Sequence, residues 1–249
     1  MNANRQTTVI KGNNKERTMK ITASSLIRWT GLAAMVAGII FAGIQPIHPP
    51  DVLASVNTSA FIIITSFKTA MSLFGLFGIA GLYARQVDEA GWLGLAGALL
   101  LGLSWALQTA FVFAEAFILP LLATAAPQFV DGVLGTLARG QASEVNLGAL
   151  PTMYSLGVGV PYMLGGLLFG IATFRAGILP RWPAGLLAVA AALTPLAALL
   201  PHAIQRLAGI PVGLALAWLG YALWSERRER IAEAVHGRAG AQLGQSGAE

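Results

Sequence analysis

Six stretches of the chain stay apolar for about the length of a bilayer crossing, separated by short polar or proline-marked breaks. They lie at about 27–44, 59–84, 92–118, 152–174, 183–200 and 207–224. A crossing helix needs roughly 20 apolar residues to traverse a hydrocarbon core of about 30 Å. None of the six alternates apolar and polar positions as the roughly ten-residue strands of a membrane barrel do. Backbone groups in lipid must be bonded within their own segment, which leaves the helix as the element. The pattern therefore predicts an all-α fold, an integral membrane six-helix bundle over residues 24–225. The breakers agree: Pro46, Pro49 and Pro50 follow the first stretch, Pro120 meets the third, and Pro183 and Pro201 bracket the fifth. Proline lacks the helical donor and clashes with the turn before it.

Outside the spans the pattern is weaker. Residues 1–23 are polar and read as a disordered cytoplasmic tail, whose first 18 residues need not be native because Met19 is itself a plausible start. The first apolar run is long and has no A-x-A site after it, so it reads as a span and not as a cleavable leader. Residues 226–249 read as a second cytoplasmic tail, opening with a charged helical extension. In the long loop 120–151, Phe129, Val130, Val133, Leu134 and Leu137 recur at helical spacing. That predicts a short amphipathic helix on the outer leaflet, either packed on the bundle or serving as a lid over an outward cavity.

Composition adds that little else is available. Of 249 residues, 55% are hydrophobic and 11% charged, with 29 Gly, 12 Pro and no Cys, and the mean hydropathy is +0.66. An ordinary soluble domain carries about 25% charged residues. Thiol chemistry and disulfides are excluded. With the N-terminus inside, all but three of the 16 basic residues fall on inner loops and tails. The exceptions are Arg139 and Arg206 outside and Lys68 within a span. This bias predicts an N-in/C-in orientation in the plasma membrane. Trp29, Trp92, Trp182 and Trp224 fall at the same inner boundaries, where an aromatic belt belongs. The net charge of +5 then faces anionic lipid. No basic stripe interleaved with aromatics points to nucleic acid. The expected partner is the bilayer, with a membrane-protein subunit or a second copy as further candidates.

Helix contacts in lipid depend on small residues that let backbones approach. Ala34, Gly38 and Ala42 form such a row in the first span, Gly166 and Gly170 in the fourth, and Gly209, Gly213 and Ala217 in the sixth. Gly157, Gly159 and Pro161 predict a kink in the fourth. The three-plus-three arrangement invites a search for an inverted repeat, but no polar feature of one half recurs in the other.

Polar groups inside a span are costly and usually face the interior with a partner. Thr65, Lys68, Thr69 and Ser72 share one face of the second span. Ser104, Gln108 and Glu115 share one face of the third. Counting outward from the short turn 85–91 sets Lys68 level with Gln108, and Glu115 about 10 Å nearer the outside. Lys68–Gln108 is the simpler contact. Lys68–Glu115 requires a staggered hairpin or a lysine reaching outward. These groups either pin the hairpin by interhelical hydrogen bonds or line a polar cavity for an ion or small ligand, with Lys68, Gln108 and Glu115 as its candidate binding residues. On the outer face, His48, Asp51 and His202 are candidate ligands for a divalent metal, and no cofactor is expected.

No phosphate loop or H-E-x-x-H motif occurs. Gly102-Leu-Ser-Trp-Ala106 approaches the nucleophile elbow but sits mid-helix, with no histidine in a span to act as base. The stretches GLYARQVDEAGWLGLAGALLLGLSWALQTAFVFAEAFILPLLATAAP, FGIATFRAGILPRWPAGLLA and GLALAWLGYALW resemble a family of bacterial six-span integral membrane proteins, over about residues 24–230. The resemblance implies a bacterial plasma membrane and carries over no activity and no catalytic residue. Three functions stay open: transport or ligand binding through the polar site, a structural or regulatory membrane subunit, and a membrane enzyme acting on lipid through an outer metal site.

Overall fold

The computed structural model of the chain describes residues 22–138, 140–197 and 199–226, and the two expected tails and Arg139 lie almost wholly outside them. Among the described residues there are helices and loops and no strand. Six long helices carry the architecture: α1 (Ala23–Ile44), α2 (Ser59–Arg85), α3 (Val87–Phe117), α4 (Leu150–Ala176), α5 (Arg181–Ala197) and α6 (Arg206–Glu226). Five of them are long and apolar enough to cross a membrane. α5 is the exception at 17 residues, about 26 Å.

Helix ends follow local chemistry. Thr22 and Ser25 cap the start of α1 reciprocally, satisfying donors that have no partner in the first turn. Thr58 caps α2 through the Phe61 amide. Gly177, at φ 67°, ends α4 in the left-handed conformation that glycine adopts without penalty.

The helices form a ring in which every long neighbour runs antiparallel. α1 packs on α2, α2 on α3, α3 on α4 and α4 on α5. The ring closes where α5 meets Arg206–Gly209 at the start of α6 and where α6 returns against α1. Small residues make these contacts. Gly38 lies against Gly213 and Ala217, and Gly213 against Ala42. Gly78 and Gly81 accept Ala34 and Thr30. Gly97 accepts Phe169, and Gly166 and Gly170 accept Ala191 and Ala188. The rows read in the first, fourth and sixth spans are thus interhelical contacts.

The α2–α3 hairpin turns through a short helical segment. Val87 starts a short helical turn that Gly91 interrupts with non-helical angles (φ 56°, ψ −155°), a conformation favouring glycine. This turn consumes residues before the long part of α3 begins. Gly75 lies on the ring of Trp105.

One end of the bundle is basic. Arg28, Arg85, Arg175 and Arg181 gather there, with Trp29, Trp92 and Trp182 exposed. Arg85 binds Glu226 through two bonds, one of 2.7 Å from Nε, and Arg28 lies 5.3 Å over the Trp224 ring. The opposite end is capped by short helices, Leu53–Val56, Leu119–Leu122 and Pro127–Val133. They close on a cluster of Val56, Phe61, Leu119, Val130, Val133, Leu134 and Leu147. The amphipathic stretch expected on a membrane surface therefore turns its apolar face inward against the bundle. α4 widens into a π-helical turn over Met153–Gly159, immediately before Pro161, where the kink was expected. Such turns are rare and commonly sit at functional sites.

Candidate functional site

The polar face of α2 divides into two kinds of group. Thr65, Thr69 and Ser72 donate to carbonyls of their own helix, those of Phe61, Thr65 and Lys68, at 2.7–3.0 Å. They are satisfied locally and join no helix to another. Lys68 has no such local option, since its ammonium must leave the backbone to be solvated. Its Nζ reaches Glu115 Oε2 of α3 at 2.5 Å. Helical side chains lean toward the N-terminus of their own helix, so in this antiparallel pair Lys68 and Glu115 lean toward each other, and the four-carbon stem of Lys68 closes the remaining distance.

Gln108 belongs to the same neighbourhood through Tyr154. The Tyr154 hydroxyl, on the widened turn of α4, faces Lys68, Glu115 and Gln108. Its ring is held edge-on by Phe111 at 5.1 Å. Ser104 donates to the Val158 carbonyl at 2.9 Å, occupying an acceptor within that turn. The π-helical turn is thus braced by α3 on the side that bears Gln108.

Lys68, Ser104, Gln108 and Tyr154 line a cavity of about 420 Å³ in the capped half of the ring, and all six long helices contribute to its wall. Phe41 and Gln45 face it from the α1 side, Lys68 from α2, Gln108 from α3, Tyr154 and Tyr162 from α4, Thr194 from α5 and Arg206 from α6. The volume falls in the range of roughly 300–1,000 Å³ found for ligand pockets. A second, more apolar cavity of about 350 Å³ adjoins it beneath the capping helices, sharing Lys68, Gln108, Leu137 and Tyr154 with the first.

Above the central cavity, Arg206 gathers the residues after α1. Its Nη2 donates to Asp51 Oδ2. Its Nη1 lies 2.5 Å from His48 Nδ1 and 3.1 Å from the Pro49 carbonyl. The same Nδ1 lies 2.6 Å from the Pro49 carbonyl, so a donor and an acceptor converge on one ring nitrogen. Burial and the positive charges of Lys68 and Arg206 hold the imidazole at about 4, well below its ordinary range. Asp51 is 3% exposed.

His48 and Asp51, read as metal ligands, are therefore brought together, but around an arginine whose charge opposes a cation. His202 opens a short helix next to Arg206, and its side chain lies outside the described residues. No three metal-ligating side chains converge among the described residues. Sequence reasoning placed Arg206 only as an outer basic residue and passed over Tyr154 and Thr194. The signal available for Arg206 was its pairing demand: a lone arginine at the start of a span needs a carboxylate, and Asp51 is in the loop that follows α1.

Comparison with protein-family models, with curated proteins and with solved structures finds no match for this chain.

Proposed function

We propose that the protein is a six-span plasma-membrane protein that binds, and as a transporter moves, a small polar solute or ion through the central cavity, which opens outward with both termini in the cytoplasm. The observation that carries this reading is a polar chamber walled by all six long helices, with a buried Lys68–Glu115 pair at its side. Intramembrane ion pairs are costly and mark ligand or ion pathways. α5 serves as the sixth crossing with the residues that follow it: it packs along α4 like the longer helices and begins at the same basic end. The arginines and exposed tryptophans at that end support a cytoplasmic placement.

The absence of cysteine from the sequence makes an introduced thiol the sole one. Thr194→Cys should react with a cationic, membrane-impermeant methanethiosulfonate added to intact cells. Leu214→Cys, on an exposed apolar position of α6, should not. Reaction of Thr194→Cys only in inverted vesicles reverses the orientation, and no reaction from either side removes the aqueous chamber. In liposomes, the Lys68→Met/Glu115→Leu double variant, which leaves no buried charge unpaired, should abolish solute-driven proton or ion movement with folding intact. Unchanged flux in that variant sinks the transport reading.

A further inference from the structure

The polar groups on the wall of the apolar cavity are Lys68, Gln108 and Tyr154, which it shares with the central chamber, and Glu115, which Lys68 holds. Phe111, Ile118, Leu122, Phe129, Val133 and Leu134 build most of it. Lys68, Gln108 and Tyr154 stand where the two cavities adjoin. At the rim, Ile118 is both a lining residue and exposed, and Phe117 and Leu121 beside it are exposed as well. An exposed apolar residue on a bundle of this kind faces lipid, so the wall at Ile118 stands between the apolar cavity and the acyl region, while the central chamber holds polar groups.

From this juxtaposition we propose that the ligand of the site is a single-chain amphiphile with an uncharged hydrogen-bonding head. The alkyl chain lies in the apolar cavity and the head lies against Lys68, Gln108 and Tyr154. The inference rests on the reading of the central chamber as a ligand site and names the class of molecule it takes.

Three physical points select that class. At about 350 Å³, the apolar cavity is at the small end of ligand pockets and accommodates one short chain. A chain leaving lipid for an apolar cavity gains little from burial, since lipid tails are as apolar as leucine, so selection falls on the head. The fixed charges near the head are already paired, Lys68 with Glu115 and Arg206 with Asp51. An anionic or cationic head has to break one of those pairs in a low-dielectric site, whereas a hydroxyl-bearing head accepts from and donates to Gln108 and Tyr154 with both pairs intact.

The test uses the full chain in phospholipid nanodiscs and a monoacylglycerol with a ten-carbon chain bearing a terminal diazirine. After illumination, adducts should map by mass spectrometry to residues 111–137 and saturate with probe concentration. Monodecanoylglycerol should compete at least tenfold better than decanoate, and glycerol and decane should not compete. Leu122→Trp, which fills a half-buried lining position, should lower the saturable labelling at least fivefold. Leu121→Trp, one residue away on the exposed face, should leave it unchanged. Non-saturating adducts spread over Phe117, Leu121 and other exposed positions overturn the amphiphile. Competition by decanoate equal to that by monodecanoylglycerol overturns the uncharged head. Thiol labelling of Thr194→Cys in the same nanodiscs separates the two readings: reactive thiol with no saturable photolabelling removes only the amphiphile, and an unreactive thiol removes the polar chamber itself.

Discussion

Toward the basic end, α1 meets α2 and α6 through Gly31, Gly38, Gly78 and Gly220, where a single added carbon would press on the facing helix. Toward the capped end, the same helices present Lys68, Trp105, Gln108 and Tyr154 and part around about 420 Å³ of space. The difference is one of side-chain size and polarity at the contact. Glycine and alanine let two backbones come into van der Waals contact, which in lipid is the main attraction between helices. Long polar side chains hold the helices apart and must then find partners for their charges. The bundle is a clamp at one end, and the clamp permits the other end to stay loosely packed without losing register.

Substitutions at the clamp should be the most damaging. Gly38→Leu has backbone atoms of α6 in its way, which cannot rotate aside. It should cost more than about 4 kcal/mol and eliminate the monodisperse peak in size-exclusion chromatography. Gly43→Leu, with open space around it, should elute like the parent. Equal behaviour of the two variants means that close backbone approach does not hold α1 to α6.

Next in size is the ion pair of the open half. Glu115→Leu leaves the Lys68 charge without its partner and should cost about 3–5 kcal/mol, most of it recovered in the Lys68→Met/Glu115→Leu double variant. Reversible unfolding in mixed micelles measures both. A double variant as unstable as the single one indicates that Lys68 and Glu115 are not each other's partners.

The capped end should also respond to pH. His48 is neutral in the folded protein down to about pH 4, whereas an unfolded histidine takes up its proton near pH 6.5. Between those values the unfolded state binds more protons, so stability is full above about pH 6.5 and falls as pH is lowered, by up to roughly 3 kcal/mol at pH 4. Thermal unfolding across that range should show the loss, and His48→Gln should remove that part of it. The smallest effect belongs to the basic end. The Arg85 and Glu226 side chains are 27% and 30% exposed, and Arg85→Ala should cost at most about 1 kcal/mol. A larger loss means that this end depends on charge as well as on close packing.

Much of the clamp was legible in the sequence. The rows Ala34–Gly38–Ala42, Gly166–Gly170 and Gly213–Ala217 recur every four residues or so, the period at which one face of a helix repeats. The open half was legible only in part. Lys68, Gln108 and Glu115 stand out because charged and amide groups are rare in spans, yet their pairing depended on which way each side chain leans along its helix. Tyr154 carried no such signal, since a tyrosine near the end of a span reads equally well as an interfacial anchor. The metal reading of His48 and Asp51 was drawn from residue types alone and left out Arg206, which reaches both.

The sequence by itself determined the helical segments and the residues that let them touch. In lipid every backbone group must be bonded within its own helix, so length and apolarity decide the element locally. Which side chains meet was a tertiary decision. Asp51 and Arg206 stand 155 positions apart and Lys68 and Glu115 stand 47 apart. Their distances follow from how six packed helices slide against one another, and a slide of one turn, about 5.4 Å, is enough to exchange one partner for another.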